Sequence, residues 1–504
     1  MAIPAPKFYI TTPIYYVNDA PHIGGAYTTI AADVLARWHR MRGEEVFFLT
    51  GTDEHGQKVA EAAREQKKSP RSWCDENAAK YQMAWDTLRI SNNNFIRTTD
   101  PSHEKIVPIA VQKLYDKNLI YQGVYKGLYC VGCERYYTVK ELVQGKCPFH
   151  QKEPLELSEK CYFFKLSAFQ KPLLKLIDTG VLVIEPKERK NEVLGFLRSE
   201  RLEDLAISRE KVEWGIPIPW DKAQTVYVWI DALLNYLSGI GWDGKGKLPE
   251  IWPPEVQLIG KDIIRFHCVI WPSLLLALEI PLPKKIYVHG FFTVGERKMS
   301  KSLGNIILPE KLVSIFGSDS LRWLLLNSFP FGQDGDLSLA KFYDKYNAEL
   351  ANGIGNLVSR VLTLAVKNKK GFSSPKAINL GFKQKIDLTW KVYEKALEEI
   401  AFEEAAMAIQ EFEAFCDRHI DKEKPWKLFK EDIGKYQEVM YNLLEGLRQI
   451  SWMVCPFMPD SSDKIFTSLG TLDQEHKKTL EEAKKWGRGK FKKITRGQAL
   501  FPRL

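Results

Sequence analysis

No run in this 504-residue sequence is suited to crossing a bilayer. The longest apolar stretch, Cys268 to Ile280, is too short and carries Pro272. The amino terminus lacks the basic region and apolar run of a secretory leader. Eight cysteines do not make a disulfide framework in a chain this long. Internal repeats and low-complexity blocks are lacking as well. These absences set aside membrane spans, secreted disulfide scaffolds and repeat arrays, and leave a cytoplasmic protein as the expectation.

What is present suits a large enzyme. The length implies three domains or so, and 45% hydrophobic residues supply sizeable cores. A formal net charge of +9 mildly favours a polyanionic partner. Lys477 to Arg496 is more lopsided, with nine Lys or Arg against two Glu, and reads equally as a solvated tail or an RNA contact.

Two short segments carry the chemistry. Residues 21–25 read Pro-His-Ile-Gly-Gly. Before them, Phe8 to Val17 is rich in Tyr, Ile, Thr and Val, as a buried strand would be. After them, Ile30, Val34, Trp38 and Met41 recur at helical spacing, and Val46 to Thr50 is strand-like again. This is a strand–loop–helix–strand unit of a nucleotide-binding fold. His22, Gly24 and Gly25 fall at the helix start, where free N–H groups favour phosphate. Far downstream, residues 297–303 read Arg-Lys-Met-Ser-Lys-Ser-Leu. Lys298 and Lys301, with Met299, Ser300 and Ser302, make a basic loop able to follow charge building on a departing pyrophosphate.

A third cluster has metal-ligand spacing: Cys130-Val131-Gly132-Cys133, then Cys147-Pro148-Phe149-His150. Three thiolates and an imidazole suit one tetrahedral Zn²⁺, and four protein ligands leave no open position, so the site reads as structural. Cys161 competes as fourth ligand, but only His150 keeps the two-residue spacing.

The two signature segments resemble the "HIGH" and "KMSKS" motifs of class I aminoacyl-tRNA synthetases. Further blocks narrow the resemblance to the methionyl-tRNA synthetase family, of the bacterial type with a single zinc knuckle. They are Thr11-Thr12-Pro13-Ile14-Tyr15-Tyr16-Val17-Asn18, Thr50-Gly51-Thr52-Asp53-Glu54-His55-Gly56, Val228-Trp229-Ile230-Asp231-Ala232 and Gly260-Lys261-Asp262. One departure stands out: the first motif normally closes on a second histidine, and this chain has Gly25.

The resemblance implies a fold: an α/β catalytic domain with a Rossmann-like parallel sheet, interrupted by a zinc-binding insert and followed by an all-α anticodon-binding bundle. The expected divisions are 1–120 and 226–290 for the catalytic halves and 121–225 for the insert. A connective segment with the lysine loop spans 291–345, and the bundle spans 346–504. It also implies an activity, methionine–tRNA ligase, acting on initiator and elongator tRNA with ATP and Mg²⁺. His22, Lys298 and Lys301 would be catalytic, and His22, Gly24, Gly25, Lys298, Met299, Ser300, Lys301 and Ser302 would bind ATP. Asp53 would hold the α-ammonium of methionine. Tyr16, Trp229, Tyr236 and His267 would surround its side chain, with Pro13, Ile14, Ala232, Leu233 and Ile263 completing the pocket. Rings suit a polarizable thioether. Tyr16 and His267 offer polar tips that an aliphatic competitor could not use. One methylene discriminates by only about 1–3 kcal/mol, so close analogues are expected to be rejected imperfectly.

On the first bundle helix, Asn352, Asn356 and Arg360 stand at steps of four as one polar stripe. With Trp426, after Pro425 on a loop, they match the family's anticodon-reading positions. A monomer is expected. Two alternatives share part of the pattern: a nucleotidylyltransferase acting on a small metabolite, and a non-catalytic tRNA-binding paralogue.

Overall fold

The computed structural model describes residues 5–18, 20–137, 139–148, 151–210, 212–294, 297–298, 307–374 and 379–504. The strand-like run at the amino terminus forms two short strands, β1 (Lys7–Thr11) and β2 (Tyr15–Tyr16). Pro13 lies between them and lacks the N–H a ladder needs. Helix α1 (Ile23–Met41) buries Ile30, Val34 and Trp38, and β3 (Glu45–Asp53) returns parallel to β1. Helices α2 (Gln57–Glu65) and α3 (Pro70–Thr87) lead to β4 (Asn94–Arg97), which also pairs with β3.

Among the described residues seven strands make the central sheet, and every pair in it is parallel. On the far side of β1 lie Val256–Gly260, then Lys285–His289, then Val183–Glu185. The last of these falls inside the segment expected to be the insert. The chain leaves β1 in one direction towards β3 and in the other towards Val256–Gly260. That reversal opens a crevice at the carboxyl edge beside β1, where α/β sheets take ligands.

The insert is antiparallel. Ile120–Cys130 pairs along its length with Leu155–Phe164, flanked by Arg135–Tyr137 and Leu205–Ala206. Its apolar residues Tyr129, Phe164 and Leu166 share one core with Leu49 and Ile259 of the sheet.

Beyond Gly355 the chain is helical: Gly355–Ala365, Leu380–Glu398, Phe402–Glu423, Ile433–Val454 and Pro459–Leu469. The bundle is fastened to the sheet by fully buried Arg322. Its guanidinium pairs with Asp33 of α1 at 2.7 Å and donates to the carbonyls of Leu88, Pro456 and Phe457. A buried charge so paired and bonded escapes the large cost of isolation. Among the described residues no helix is long and apolar enough to cross a membrane.

Candidate active site

Residues from a strand end, a helix cap and several short helices stand at this edge. His22 caps α1: its Nδ1 accepts the Gly24 N–H at 3.1 Å, so Nε2 is the ring's donor in the neutral form. The next residue joins the two distant motifs, because the Ile23 N–H donates to the Ile307 carbonyl at 3.0 Å. Ile307 follows the lysine loop, which is entered through antiparallel strands Phe292–Val294 and Arg297–Lys298. Lys298 thus closes a strand, and the loop's exit is tied to the helix terminus that carries His22. Met299, Ser300, Lys301 and Ser302 lie outside the described residues.

Gly24 and Gly25 form the first turn of α1. A Cβ on Gly25 would stand 3.1 Å from the Tyr15 ring, whose hydroxyl donates to the Gly25 carbonyl at 3.0 Å and pairs with Thr29 at 2.7 Å. The sequence reading missed Tyr15, and it missed a Thr28–His289 bond of 2.7 Å beside the same helix turn.

The expected amino-acid pocket lies at the same edge. Asp53 ends β3, and its Oδ1 is buried without a partner among the described residues. Burial raises the Asp53 carboxyl well above its ordinary range, and the charges of Asp231 and Glu134 push the same way. A cationic ligand would relieve all three effects. Trp229, Ala232 and Leu233 stand on Val228–Leu233, and Tyr236 on Asn235–Ser238. Trp229 stacks on Phe266 with centroids 3.6 Å apart and meets His267 edge-on.

Here the structure refines one expectation. His267 Nδ1 must donate to the Ile263 carbonyl at 3.2 Å, so Nε2 is left to accept the Tyr236 hydroxyl at 2.7 Å. Burial lowers the His267 pKa to about 4, and the ring is neutral. The Tyr16 hydroxyl likewise donates to the His55 carbonyl at 2.8 Å. Both polar tips are therefore engaged within the protein, and what they offer a ligand is chiefly shape. Pro13 and Ile14 are half-buried between β1 and β2.

Beneath the pocket lies a buried relay absent from the sequence reading. Asp231 accepts from His55 Nδ1 and His103 Nε2, each at 2.7 Å, and His103 also meets Ser238. Burial opposes charge on His55, yet the Asp231 carboxylate raises it to about 10. Burial likewise opposes charge on Asp231, but the two imidazoles hold it near 2. Asp53 thus stands over a satisfied ion pair.

The comparisons with known proteins agree with this geometry. A model for class I tRNA synthetases (M) matches residues 8–156 and 151–362, and one for the anticodon binding domain of methionyl tRNA ligase matches 375–501. A methionine–tRNA ligase of Streptomyces coelicolor is 42% identical, over 99% of this chain and 97% of its own. The chain belongs to the methionyl-tRNA synthetase family. A methionine–tRNA ligase of Rickettsia bellii is also 42% identical, over 93% of each chain. The Mycobacterium tuberculosis methionyl-tRNA synthetase in complex with methionyl-adenylate superposes with a TM-score of 0.94 at 34% identity, covering 99% of this chain and all of that one.

Elsewhere in this synthetase-family fold, Cys130, Cys133 and Cys147 present their sulfurs within 4.8 Å of one another. Cys133 and Cys147 are 3.4 Å apart. Four ligands around zinc, with Zn–S near 2.3 Å, give sulfur–sulfur edges of about 3.8 Å, so the trio fits one metal. The Tyr137 hydroxyl lies 3.3 Å from the Cys133 sulfur. His150 lies outside the described residues. Cys161 stands apart on Leu155–Phe164, opposite Gly123.

The expected anticodon residues are placed less simply. Asn352 belongs to a separate π-helical segment, Tyr346–Ile354, which Gly353 kinks with non-helical angles. It does not continue the face of Asn356 and Arg360 on Gly355–Ala365, and its side-chain oxygen accepts from Arg503 at 2.7 Å. Arg360 is held by Asp417 at 2.6 Å and Asp421 at 2.5 Å. Pro425 is not on a loop: it opens the helix Pro425–Glu431, because proline suits a first helical position. Trp426 stands in that first turn, 42% exposed, as an unusual bare indole. The basic segment joins Phe491 to Phe372 in an antiparallel backbone bridge while Lys490, Lys492 and Lys493 stay exposed.

Proposed function

We propose that this methionine–tRNA ligase activates its amino acid in the crevice where α1 and the lysine loop meet. The observation that supports the reading is the Ile23–Ile307 bond, which ties the backbone downstream of the lysine segment to the start of α1. Asp53 would bind the α-ammonium of methionine, with Tyr16, Trp229, Tyr236 and His267 shaping the thioether's pocket. The methionine carboxylate attacks the α-phosphorus of ATP in line. A carboxylate–phosphorus bond forms, the bond to the bridging oxygen breaks, and pyrophosphate leaves. His22, the N–H of Gly25, and Lys298 and Lys301 would stabilise the charge developing on that leaving group, with Gly24 keeping the approach to the helix start open. Mg²⁺ on the triphosphate would supply further charge neutralisation. A hydroxyl of the tRNA's 3′-terminal adenosine then attacks the activated carbonyl, and AMP departs. The protein's part in both steps is positioning and electrostatics.

Cys130, Cys133, Cys147 and His150 would hold a structural zinc. Asn356 and Arg360, with Trp426 as a stacking platform, would read the unpaired anticodon bases. The test is ATP–pyrophosphate exchange: methionine should support it and other amino acids should not. In Lys301→Ala, exchange should fall by about a hundredfold or more while methionine affinity stays within about twofold. Exchange independent of methionine, or unchanged in the variant, would overturn the reading.

A further inference from the structure

The residue after Cys133 carries chemistry that zinc binding does not explain. Glu134 adopts a left-handed backbone, with φ of +47°. Glycine or asparagine favours that conformation, and a glutamate there is uncommon. It is also 4% exposed, so a carboxylate has been buried on a strained turn.

The side chain reaches across the domain boundary into the catalytic half. Its Oε1 accepts the Lys58 N–H at 2.8 Å, satisfying an orphan donor in the first turn of α2. Its carboxylate also lies beside the Tyr16 hydroxyl, which donates to the His55 carbonyl at 2.8 Å. Gly56 is where the three meet: a Cβ there would lie 2.5 Å from both the Glu134 carboxylate and the Tyr16 hydroxyl. The neighbouring carbonyls face the same way. The Glu134 carbonyl accepts from Tyr227 at 2.6 Å, that of Cys133 from Trp229 at 3.5 Å, and that of Gly132 from the Lys58 ammonium at 3.0 Å. Two of these partners, Tyr16 and Trp229, are walls of the pocket.

No ligand of its own explains the carboxylate. The cavity beside it, lined by Gly56, Glu134, Arg209 and Tyr227, has a volume of about 10 Å³, room for one water and nothing larger. Arg209, which could have neutralised it directly, is instead paired with Glu159 at 2.6 Å.

We propose that Glu134 is a positioning residue for methionine, through which the knuckle sets the orientation of Tyr16 and the start of α2. This inference rests on the reading of Tyr16 and Asp53 as parts of the methionine site.

The test uses the full-length, zinc-loaded protein and the variants Glu134→Ala and Glu134→Gln. Methionine KM and ATP KM are measured by pyrophosphate exchange, methionine binding by tryptophan fluorescence, and zinc by metal analysis. In Glu134→Ala, methionine KM and dissociation constant should rise about tenfold or more, with ATP KM within twofold and zinc content equal to the parent's. Glu134→Gln should stay closer to the parent, since its amide oxygen can still accept the Lys58 N–H. An unchanged methionine KM in both variants overturns the proposal. So does an equal rise in both KM values, or a methionine defect that appears only with zinc loss. A parent protein without methionine-dependent exchange would instead overturn the functional reading.

Discussion

The proposed amino-acid pocket and the proposed anticodon face hold their polar groups in opposite ways. In the pocket, His267, Tyr236 and Tyr16 have spent their hydrogen bonds on the protein, and the Asp231 pair lies fully buried beneath them. On the bundle, Arg360 is held by two carboxylates, one of which, Asp421, is 65% exposed. A preorganised site spends nothing on rearrangement when a small ligand enters. A solvent-exposed ion pair contributes only about 0–1 kcal/mol, so it is readily exchanged for a base or phosphate. On the proposed reading, the pocket is built to be rigid, and the RNA face to be displaced.

The sharpest way to break this contrast is Asp231→Asn. Removing one partner of a buried pair typically costs about 3–5 kcal/mol, because the other charge stays buried. The pH dependence follows from the signs. The raised pKa of His55 adds stability that is complete below its ordinary 6.5 and is lost as pH climbs towards 10. The lowered pKa of Asp231 adds stability that is complete above 3.8 and is lost as pH falls towards 2. Denaturant unfolding of the parent should therefore show its relay contribution whole between about pH 4 and 6.5. The variant should be less stable there, with a flatter alkaline limb. Equal unfolding midpoints in that window would remove the relay from the argument.

Much of this architecture was legible in the sequence, and the exceptions share a cause. The period change around Pro-His-Ile-Gly-Gly located α1. Such signals are local. The relay was not legible, because His55, His103 and Asp231 come from three segments and no spacing links them. A buried acid and histidines inside otherwise apolar or family-specific runs were the available signal. Glu134 was hidden for a different reason: the cysteine spacing explains the knuckle, but φ is not written in the residue type. Trp426 was misplaced because Pro425 was read as a loop marker when it can equally begin a helix.

The other half of the contrast is tested by Asp421→Asn. Releasing one anchor of Arg360 and removing a negative charge should strengthen tRNA binding by about twofold to fivefold at fixed salt. Discrimination between the cognate anticodon and a substituted one should weaken, since a looser guanidinium bonds more partners. Methionine-dependent exchange should not change. Filter binding with both RNAs checks this, and an unaltered affinity for each would mean Arg360 never leaves its acidic partners.

The smallest expected effect concerns Gly25. Its missing side chain leaves room for the Tyr15 ring, which is stacked on Tyr81 at 5.6 Å and set edge-on to Trp85 at 5.5 Å. In Gly25→His the new Cβ, at 3.1 Å, asks that ring to yield by a few tenths of an ångström. Overpacking of this kind costs about 1 kcal/mol, partly offset because glycine is a poor helix former. The added imidazole would stand in the first turn of α1, on the phosphate side of the crevice. ATP KM should fall and exchange should rise, each by about threefold or less, with methionine KM unchanged. Tyr15 and Tyr16 share β2, so the outcome also probes rigidity. A shift in methionine KM would show that strain at Tyr15 passes along the strand into the pocket, and the pocket would then not be the preset cavity that separates it from the RNA face.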